Sequence, residues 1–431
     1  MISNEHIEKF LGDVKPPYLY NSNKFVPGES YVYYSGPCWD NSELISAISV
    51  LLNGKWLVAG ENVNTFEKEF SKKFNVKYSN MVNSGSSANL ILIAALKKYY
   101  NWEDGDEIIV SPVGFPTTIS VICQNNLSPV FVDIEMETLN FDLDLLIKKI
   151  TNKTKAIFVS PVLGNPPNMD KLLDICKVNG IKLVGDNCDS LGTKWDGKYL
   201  NEYYVGSSHS FYPAHHLSTG EGGMVCTDRK ELKRLIGSLT SWGRDCFCVG
   251  SDNLKLNGSC NNRFGKWLKN YDGVVDHKYI FNNMGFNVKP LDLQGAIGSS
   301  QLKKFDWIDE KRKEHKNKIE KIFLDNIKNI SNVKIYDKAD VSWFGVPFIC
   351  ESKEFKHKLV QYLEQNKIQT RHYFSGNILL HEGYSHLDNY EDYPNANSVL
   401  DKVFFIGCAP NYTEDMIEYI NDVVEKFKEV K

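Results

Sequence analysis

No run of apolar residues in this chain approaches a membrane-crossing helix: the longest aliphatic stretch, Leu90 to Leu96, falls far short of the roughly 20 residues a bilayer needs. The amino terminus, MISNEHIEKF, is polar and has no signal-peptide core. Nor is there an excess of one charge. Lys and Arg number 50 against 54 Asp and Glu, a formal net charge of −4, and the basic residues are scattered, so nucleic acid finds no basic field. Internal repeats and low-complexity linkers are also missing. These absences point to a globular cytoplasmic protein with neither membrane nor nucleic acid as a partner. At 431 residues, 42% of them hydrophobic, the chain can bury one large core and carry a smaller attached domain.

The 10 cysteines do not form the dense pattern of a small secreted disulfide scaffold. Their distribution is uneven. Cys246, Cys248 and Cys260 share one window of 15 residues, where chance would place about a third of a cysteine. Cys38, Cys123, Cys176, Cys226, Cys350 and Cys408 stand apart and read as small buried hydrophobes.

From about Lys55 to Asp228, helical patterns alternate with short apolar, β-branched runs: EIIVSP (107–112), PVFVDI (129–134), AIFVSPV (156–162), IKLVGD (181–186) and GGMVCT (222–227). Strands separated by helix-length segments imply an α/β domain with a mostly parallel sheet covered on both faces. Residues 86–100, SSANLILIAALKKYY, are good helix formers after a turn at Asn83-Ser84-Gly85. Beyond residue 300 a charged helix (301–327), strand-like NVKIYD and WFGVPFI, and the helix FKHKLVQYLEQN suggest a smaller α+β domain. The expected organisation is an N-terminal arm over 1–40, a large domain over 41–300 with a cysteine-rich insertion at 244–275, and a small domain over 301–431.

Three segments carry chemistry. Asn83 to Asn89 is a small-residue turn opening a helix, where the amides near Gly85 and Ser86 suit a phosphate; a serine-rich cap without a ligand would look the same. GDNCDSLG puts Asp186 at the carboxyl end of an apolar strand, where α/β sheets open their ligand crevice. There a carboxylate can pair with a protonated pyridine nitrogen, or simply cap a turn. The third is the stretch 208–223, SHSFYPAHHLSTGEGG.

In that order, and with Phe115 in GFPTT between the first two, these segments resemble the sugar aminotransferase family of the aspartate-aminotransferase fold, the type I fold of PLP-dependent transferases, from about residue 40 to the carboxyl end. The resemblance implies that Gly85, Ser86 and Ser210 meet the phosphate of a vitamin B6 cofactor, that Phe115 stacks on its ring and that Asp186 pairs with its nitrogen. It also implies a homodimer in which Asn287, in GFNVK, reaches the neighbouring subunit's phosphate. Where the family has its cofactor-binding lysine, this chain has His215, with His216 beside it. An imidazole forms no stable imine with an aldehyde yet transfers protons well near neutral pH, which argues against transamination and for pyridoxamine phosphate held non-covalently.

A lysine replaced by histidine resembles the sugar 3-dehydrases, which remove the C3 hydroxyl of nucleotide-linked 4-keto-6-deoxyhexoses. One branch is similar to GDP-4-keto-6-deoxymannose 3-dehydratase, cluster-free and regenerated by glutamate. The other is similar to CDP-4-keto-6-deoxyglucose 3-dehydrase, which holds a [2Fe-2S] cluster and takes electrons from a flavin iron–sulfur reductase. The second branch's pattern is matched by Cys188 two residues after Asp186, an interval of 57 residues, Cys246-x-Cys248, and Cys260 shortly before Arg263-Phe264-Gly265. The 11 residues between Cys248 and Cys260 exceed that branch's interval. The resemblance thus implies a [2Fe-2S] site on Cys188, Cys246, Cys248 and Cys260, His215 as the proton-transfer residue, and a part in 3,6-dideoxysugar biosynthesis. Zinc on four thiolates, the cluster-free enzyme, and a non-catalytic binder of sugar or B6 stay open as alternatives.

Overall fold

The computed structural model describes residues 2–12 and 24–427. Seven strands form the main sheet: β1 (Tyr78–Val82), β2 (Glu107–Val110), β3 (Ser128–Phe131), β4 (Thr154–Val159), β5 (Lys182–Asp186), β6 (Ser207–Ser210) and β7 (Gly223–Thr227), in the order β1-β7-β6-β5-β4-β2-β3. The pairings from β6 through β5, β4 and β2 to β3 are parallel. Only β7 opposes both of its neighbours. Helices cover the sheet, so its Val and Ile runs are buried, as in Ala156 to Phe158 and Ile108 to Val110. The helix Gly85–Tyr99 packs on β6 and β7 through Ala88, Ile91, Leu92 and Ala95, all buried. Five of the seven strands fall on the apolar runs; β1 (YSNMV) and β6 (SSHS) are the additional two.

A second, antiparallel sheet has the order β8 (Ile330–Asn332), β9 (Gly345–Cys350), β11 (Val403–Gly407), β10 (Thr370–His372). Phe323, Phe348, Leu359, Phe404 and Ile420 share its core with the surrounding helices. Two expectations need correcting. The strand expected over NVKIYD stops at Asn332, because the next residues bond to loops instead: the Lys334 amide donates to the Glu137 carbonyl at 2.8 Å. The single charged helix is two, Asp292–Lys303 and Phe305–Asn326, broken at Lys304. The Lys304 ammonium pairs with Asp40 at 2.7 Å and Glu43 at 2.8 Å, tying the break to the helix Asn41–Asn53.

Within the expected N-terminal arm, residues 1 and 13–23, Pro16-Pro17 included, lie outside the described residues. The rest touches the body. Ser35 Oγ donates to the Ala214 carbonyl at 2.8 Å and Trp39 Nε1 to the Ser218 carbonyl at 3.1 Å. Among the described residues no helix is long and apolar enough to cross a membrane.

Candidate active site

The ends of β1, β5 and β6 meet closely enough that two positions admit only glycine. A Cβ on Gly85 would lie 2.4 Å from the Ser210 Cβ and 3.1 Å from the Cys188 sulfur; one on Gly223 would lie 2.3 Å from the Ser84 carbonyl oxygen. The helix Gly85–Tyr99 therefore starts against Ser210, with Ser84 as its cap accepting the Ser87 amide at 3.1 Å. The amides of Gly85 and Ser86 precede the first closed turn, where a helix start suits an anion.

Asp186 ends β5 and is 4% exposed. Its Oδ2 accepts Asn89 Nδ2 at 2.8 Å and Thr118 Oγ1 at 2.6 Å, and its Oδ1 accepts the Cys188 amide at 3.2 Å. The Ser208 hydroxyl, from β6, holds Asn89 in turn. Three separate elements thus fix one carboxylate, while Phe115, one turn before Thr118, leaves its ring 52% exposed with an edge toward Phe374. An open aromatic face beside a fixed buried carboxylate fits a flat heteroaromatic ring with a basic nitrogen.

His215 follows a turn in which its amide donates to the Tyr212 carbonyl at 3.0 Å. Its ring lies 5.2 Å from that of Phe344. Nδ1 stands 3.7 Å from Asp189 Oδ1, beyond hydrogen-bond range, and has no hydrogen-bond partner among the described residues. Burial, then Arg312, pushes the imidazole down to about 4. Burial, then Asp186, pushes the Asp189 carboxyl up to about 8, against the Leu163 amide that favours its anion. Each shift favours the uncharged form, so a neutral base faces a neutral acid here and the contact is not an ion pair. Leu163 itself holds a left-handed φ of 54°, backbone strain of the kind that gathers at working sites. His216 is different: 2% exposed, its Nε2 lies 3.2 Å from the Ser342 carbonyl oxygen and burial drives its pKa well below the usual value. It packs as a core residue.

A family model described as the DegT/DnrJ/EryC1/StrS aminotransferase family matches residues 39–425. The chain belongs to that family. It is 35% identical over 415 residues to the dTDP-4-dehydro-2,6-dideoxy-D-glucose 3-dehydratase of Saccharopolyspora spinosa, covering 94% of this chain and 88% of the relative. Over the same length it is 35% identical to the lipopolysaccharide biosynthesis protein RfbH of Salmonella typhimurium, covering 94% of this chain and 93% of that one. A solved structure of the E. coli GDP-4-keto-6-deoxy-D-mannose-3-dehydratase with bound hydrated PLP superposes with a TM-score of 0.79 at 31% identity, covering 92% of this chain and 99% of that one. The fold is that of the PLP-dependent aminotransferases, as the sequence led one to expect.

In this family member Asn287 opens on another cleft, of about 630 Å³, lined also by Asn83, Trp242, Arg244, Cys246 and Cys248. Contacts link three of the four candidate ligands, Cys246, Cys248 and Cys260. Cys246 hydrogen-bonds with Cys248 and feels the charge of Cys248 and Cys260. Against burial, the Ser259 hydroxyl and amide, 3.3 and 3.2 Å from the Cys248 sulfur, bring that thiol down. Cys188 instead sits beside Asp186, and burial followed by that carboxylate holds its thiol well above the usual range. Among the described residues no three His, Cys, Asp or Glu side chains are arranged to hold a metal ion.

The sequence reading passed over Asn89, Thr118, Ser208 and Asp189. The first three lay inside quoted motifs, yet nothing in their type separates a carboxylate holder from a helix or strand filler. For Asp189 the only signal was its place next to Cys188. It supplies a pH test. Neutral His215 exists above about pH 4 and protonated Asp189 below about pH 8; at higher pH a second anion develops beside Asp186. Activity is expected to fall as pH rises through 8, and Asp189→Asn, which cannot ionise, to keep its rate there. A pH profile of kcat/KM for both proteins checks this; an unchanged alkaline limb in the variant contradicts it.

Proposed function

We propose that this chain is a nucleotide-sugar 3-dehydrase: with pyridoxamine phosphate bound, it removes the C3 hydroxyl of a nucleotide-linked 4-keto-6-deoxyhexose and does not transaminate. The observation that carries the reading is His215, an imidazole where the family resemblance expects a lysine, whose Nδ1 stands 3.7 Å from Asp189 with no hydrogen-bond partner among the described residues. When bound, the cofactor would supply an amine for the C4 ketone and, once its methylene carbon gives up a proton, the electron pair that expels the C3 hydroxyl, which leaves as water. The amides of Gly85 and Ser86 and the Ser210 hydroxyl bind its phosphate. Phe115 covers one ring face and excludes water. Asp186, unable to rotate between Asn89 and Thr118, keeps a proton on the ring nitrogen. His215 takes a proton from the cofactor's methylene carbon. The subunit works in the cytoplasm as a homodimer, with Asn287 of the partner subunit reaching the phosphate.

The finer reading adds a [2Fe-2S] cluster on Cys188, Cys246, Cys248 and Cys260, a flavin iron–sulfur reductase as electron donor, a CDP-linked substrate, and a place in 3,6-dideoxysugar biosynthesis. Cysteine spacing supports it. The residues fit such a cluster in part: contacts link Cys246 with Cys248 and Cys260, those of Cys188 are with Asp186, and the proton work of His215 does not depend on the cluster. The likeness to a GDP-4-keto-6-deoxy-D-mannose-3-dehydratase supports a second reading: a cluster-free enzyme regenerated by glutamate.

Anaerobic purification with iron analysis separates the two, followed by incubation with pyridoxamine phosphate and CDP-, dTDP- and GDP-linked 4-keto-6-deoxyhexoses, supplied with glutamate or with a reductase. Loss of the C3 oxygen from one of these sugars is expected. A brown, iron-bearing protein that needs the reductase supports the cluster, and iron-free turnover on glutamate supports the second reading. Amination at C4 with the oxygen retained overturns both.

A further inference from the structure

We infer that Arg312 is a positioning residue for His215, a role that rests on the dehydrase reading for its function but on the structure for its geometry. Arg312 lies on the helix Phe305–Asn326 and is 1% exposed. A buried cation is ordinarily matched by a carboxylate, since leaving water costs several kcal/mol. Among the described residues Arg312 has no carboxylate in ion-pair contact. Its guanidinium donates to four main-chain carbonyls instead: Nη1 to Trp343 at 3.4 Å and Phe344 at 3.0 Å, and Nη2 to Ala214 at 3.2 Å and His215 at 3.3 Å.

Those acceptors come from two distant stretches. Ala214 and His215 belong to the loop after β6, whereas Trp343 and Phe344 lead into β9 of the second sheet. The planar fork of an arginine spans both pairs at once, which a lysine ammonium does not do. His215 is thereby fixed twice over: through its own carbonyl, and through Phe344, whose ring packs against the imidazole. The junction is stitched further by the Phe344 amide donating to the Leu163 carbonyl at 3.1 Å and by the Ser342 amide donating to Thr193 Oγ1 at 3.0 Å. Leu163 in turn faces Asp189 with its amide. Arg312 thus anchors the main chain of His215 and of Phe344, while the imidazole itself also bonds to the Cys188 main chain. A catalytic base displaced by about 1 Å can lose on the order of a hundredfold in rate while the binding residues stay in place.

The test compares wild type, Arg312→Met and Arg312→Lys in the cofactor-loaded protein. Steady-state kinetics on the accepted sugar, pyridoxamine phosphate affinity, thermal melting and the rate of diethyl pyrocarbonate modification at His215, mapped by mass spectrometry, are measured together. His209, buried against Phe70, serves as the internal control. Arg312→Met is expected to lose about a hundredfold in kcat with KM and cofactor affinity within about twofold of wild type, while His215 is modified about tenfold faster and His209 stays protected. Arg312→Lys, keeping the charge and part of the hydrogen bonding, is expected to recover about tenfold of that loss. A folded Arg312→Met with unchanged kcat and unchanged His215 reactivity overturns the inference. Should Arg312→Met fail to fold, Arg312→Lys decides by the same readouts, and failure of both to fold also overturns a positioning role. If wild type accepts no nucleotide sugar, the dehydrase reading fails instead, and the modification rates alone decide whether Arg312 positions His215.

Discussion

Lysine in place of His215 is expected to abolish C3 deoxygenation, by about a thousandfold or more, and to make the protein hold pyridoxal phosphate covalently. General acid–base groups contribute about 10²- to 10⁴-fold, and here the same substitution also ties up the cofactor. The neighbourhood sets the outcome. Burial and Arg312 keep the imidazole neutral near pH 7, poised to accept a proton, and Nδ1 has no hydrogen bond to break first. A lysine amine at 215 reaches further than the ring it replaces and can condense with the aldehyde. Trapping with borohydride followed by peptide mapping detects the bond, and oxygen loss is followed by mass. The companion variant His216→Gln is expected to leave deoxygenation within about tenfold of wild type, because His216 faces the Ser342 carbonyl in the core. A reversal of the two effects would move the proton transfer to residue 216.

The second large effect concerns Asp186. Asn at this position is nearly isosteric, yet its amide cannot accept two donors and also pair with a protonated ring nitrogen. Either the Asn nitrogen turns toward Asn89 and Thr118, setting donor against donor, or it turns toward the cofactor and offers no negative charge. The first arrangement costs about 1–3 kcal/mol of stability. The second removes a preorganised charge of the kind that contributes about 10²- to 10³-fold. Asp186→Asn is therefore expected to lower kcat by at least about a hundredfold and to weaken pyridoxamine phosphate binding, with near-normal activity in Asp186→Glu excluded by the tight shell. Titration of the cofactor by circular dichroism and steady-state rates check both. Full activity in the Asn variant would remove the carboxylate from the chemistry.

Much of this arrangement was legible in the residues. Apolar β-branched runs gave β2, β3, β4, β5 and β7, because strands buried on both faces have no polar alternation to disguise them. The strands β1 and β6 escaped for the opposite reason. Ser207 to Ser210 is wholly buried yet polar, its side chains bonded to Asn89, to the Tyr212 amide and, for Ser207 and His209, to each other, and no hydrophobic pattern announces such a strand. NVKIYD misled because it has strand composition but no neighbour to pair with beyond Asn332. Within the site, motifs named Gly85, Phe115, Asp186, Ser210 and His215. They could not name Arg312 or Phe344, which arrive from far along the chain and look like any charged helix residue or core aromatic. The cysteines show the limit from the other side: their spacing suggests four ligands, while the contacts that the fold makes visible are those of Cys188 with Asp186 and of Cys246 with Cys248 and Cys260.

Substrate carrying heavy oxygen on C3 gives the most direct test of the central claim. In a single turnover with the pyridoxamine phosphate form of the protein, the label is expected to leave the sugar and appear in water, and to stay on the sugar when His215→Gln is used. Label retained on C3 together with a new amino group at C4 would contradict a dehydrase and restore the aminotransferase reading.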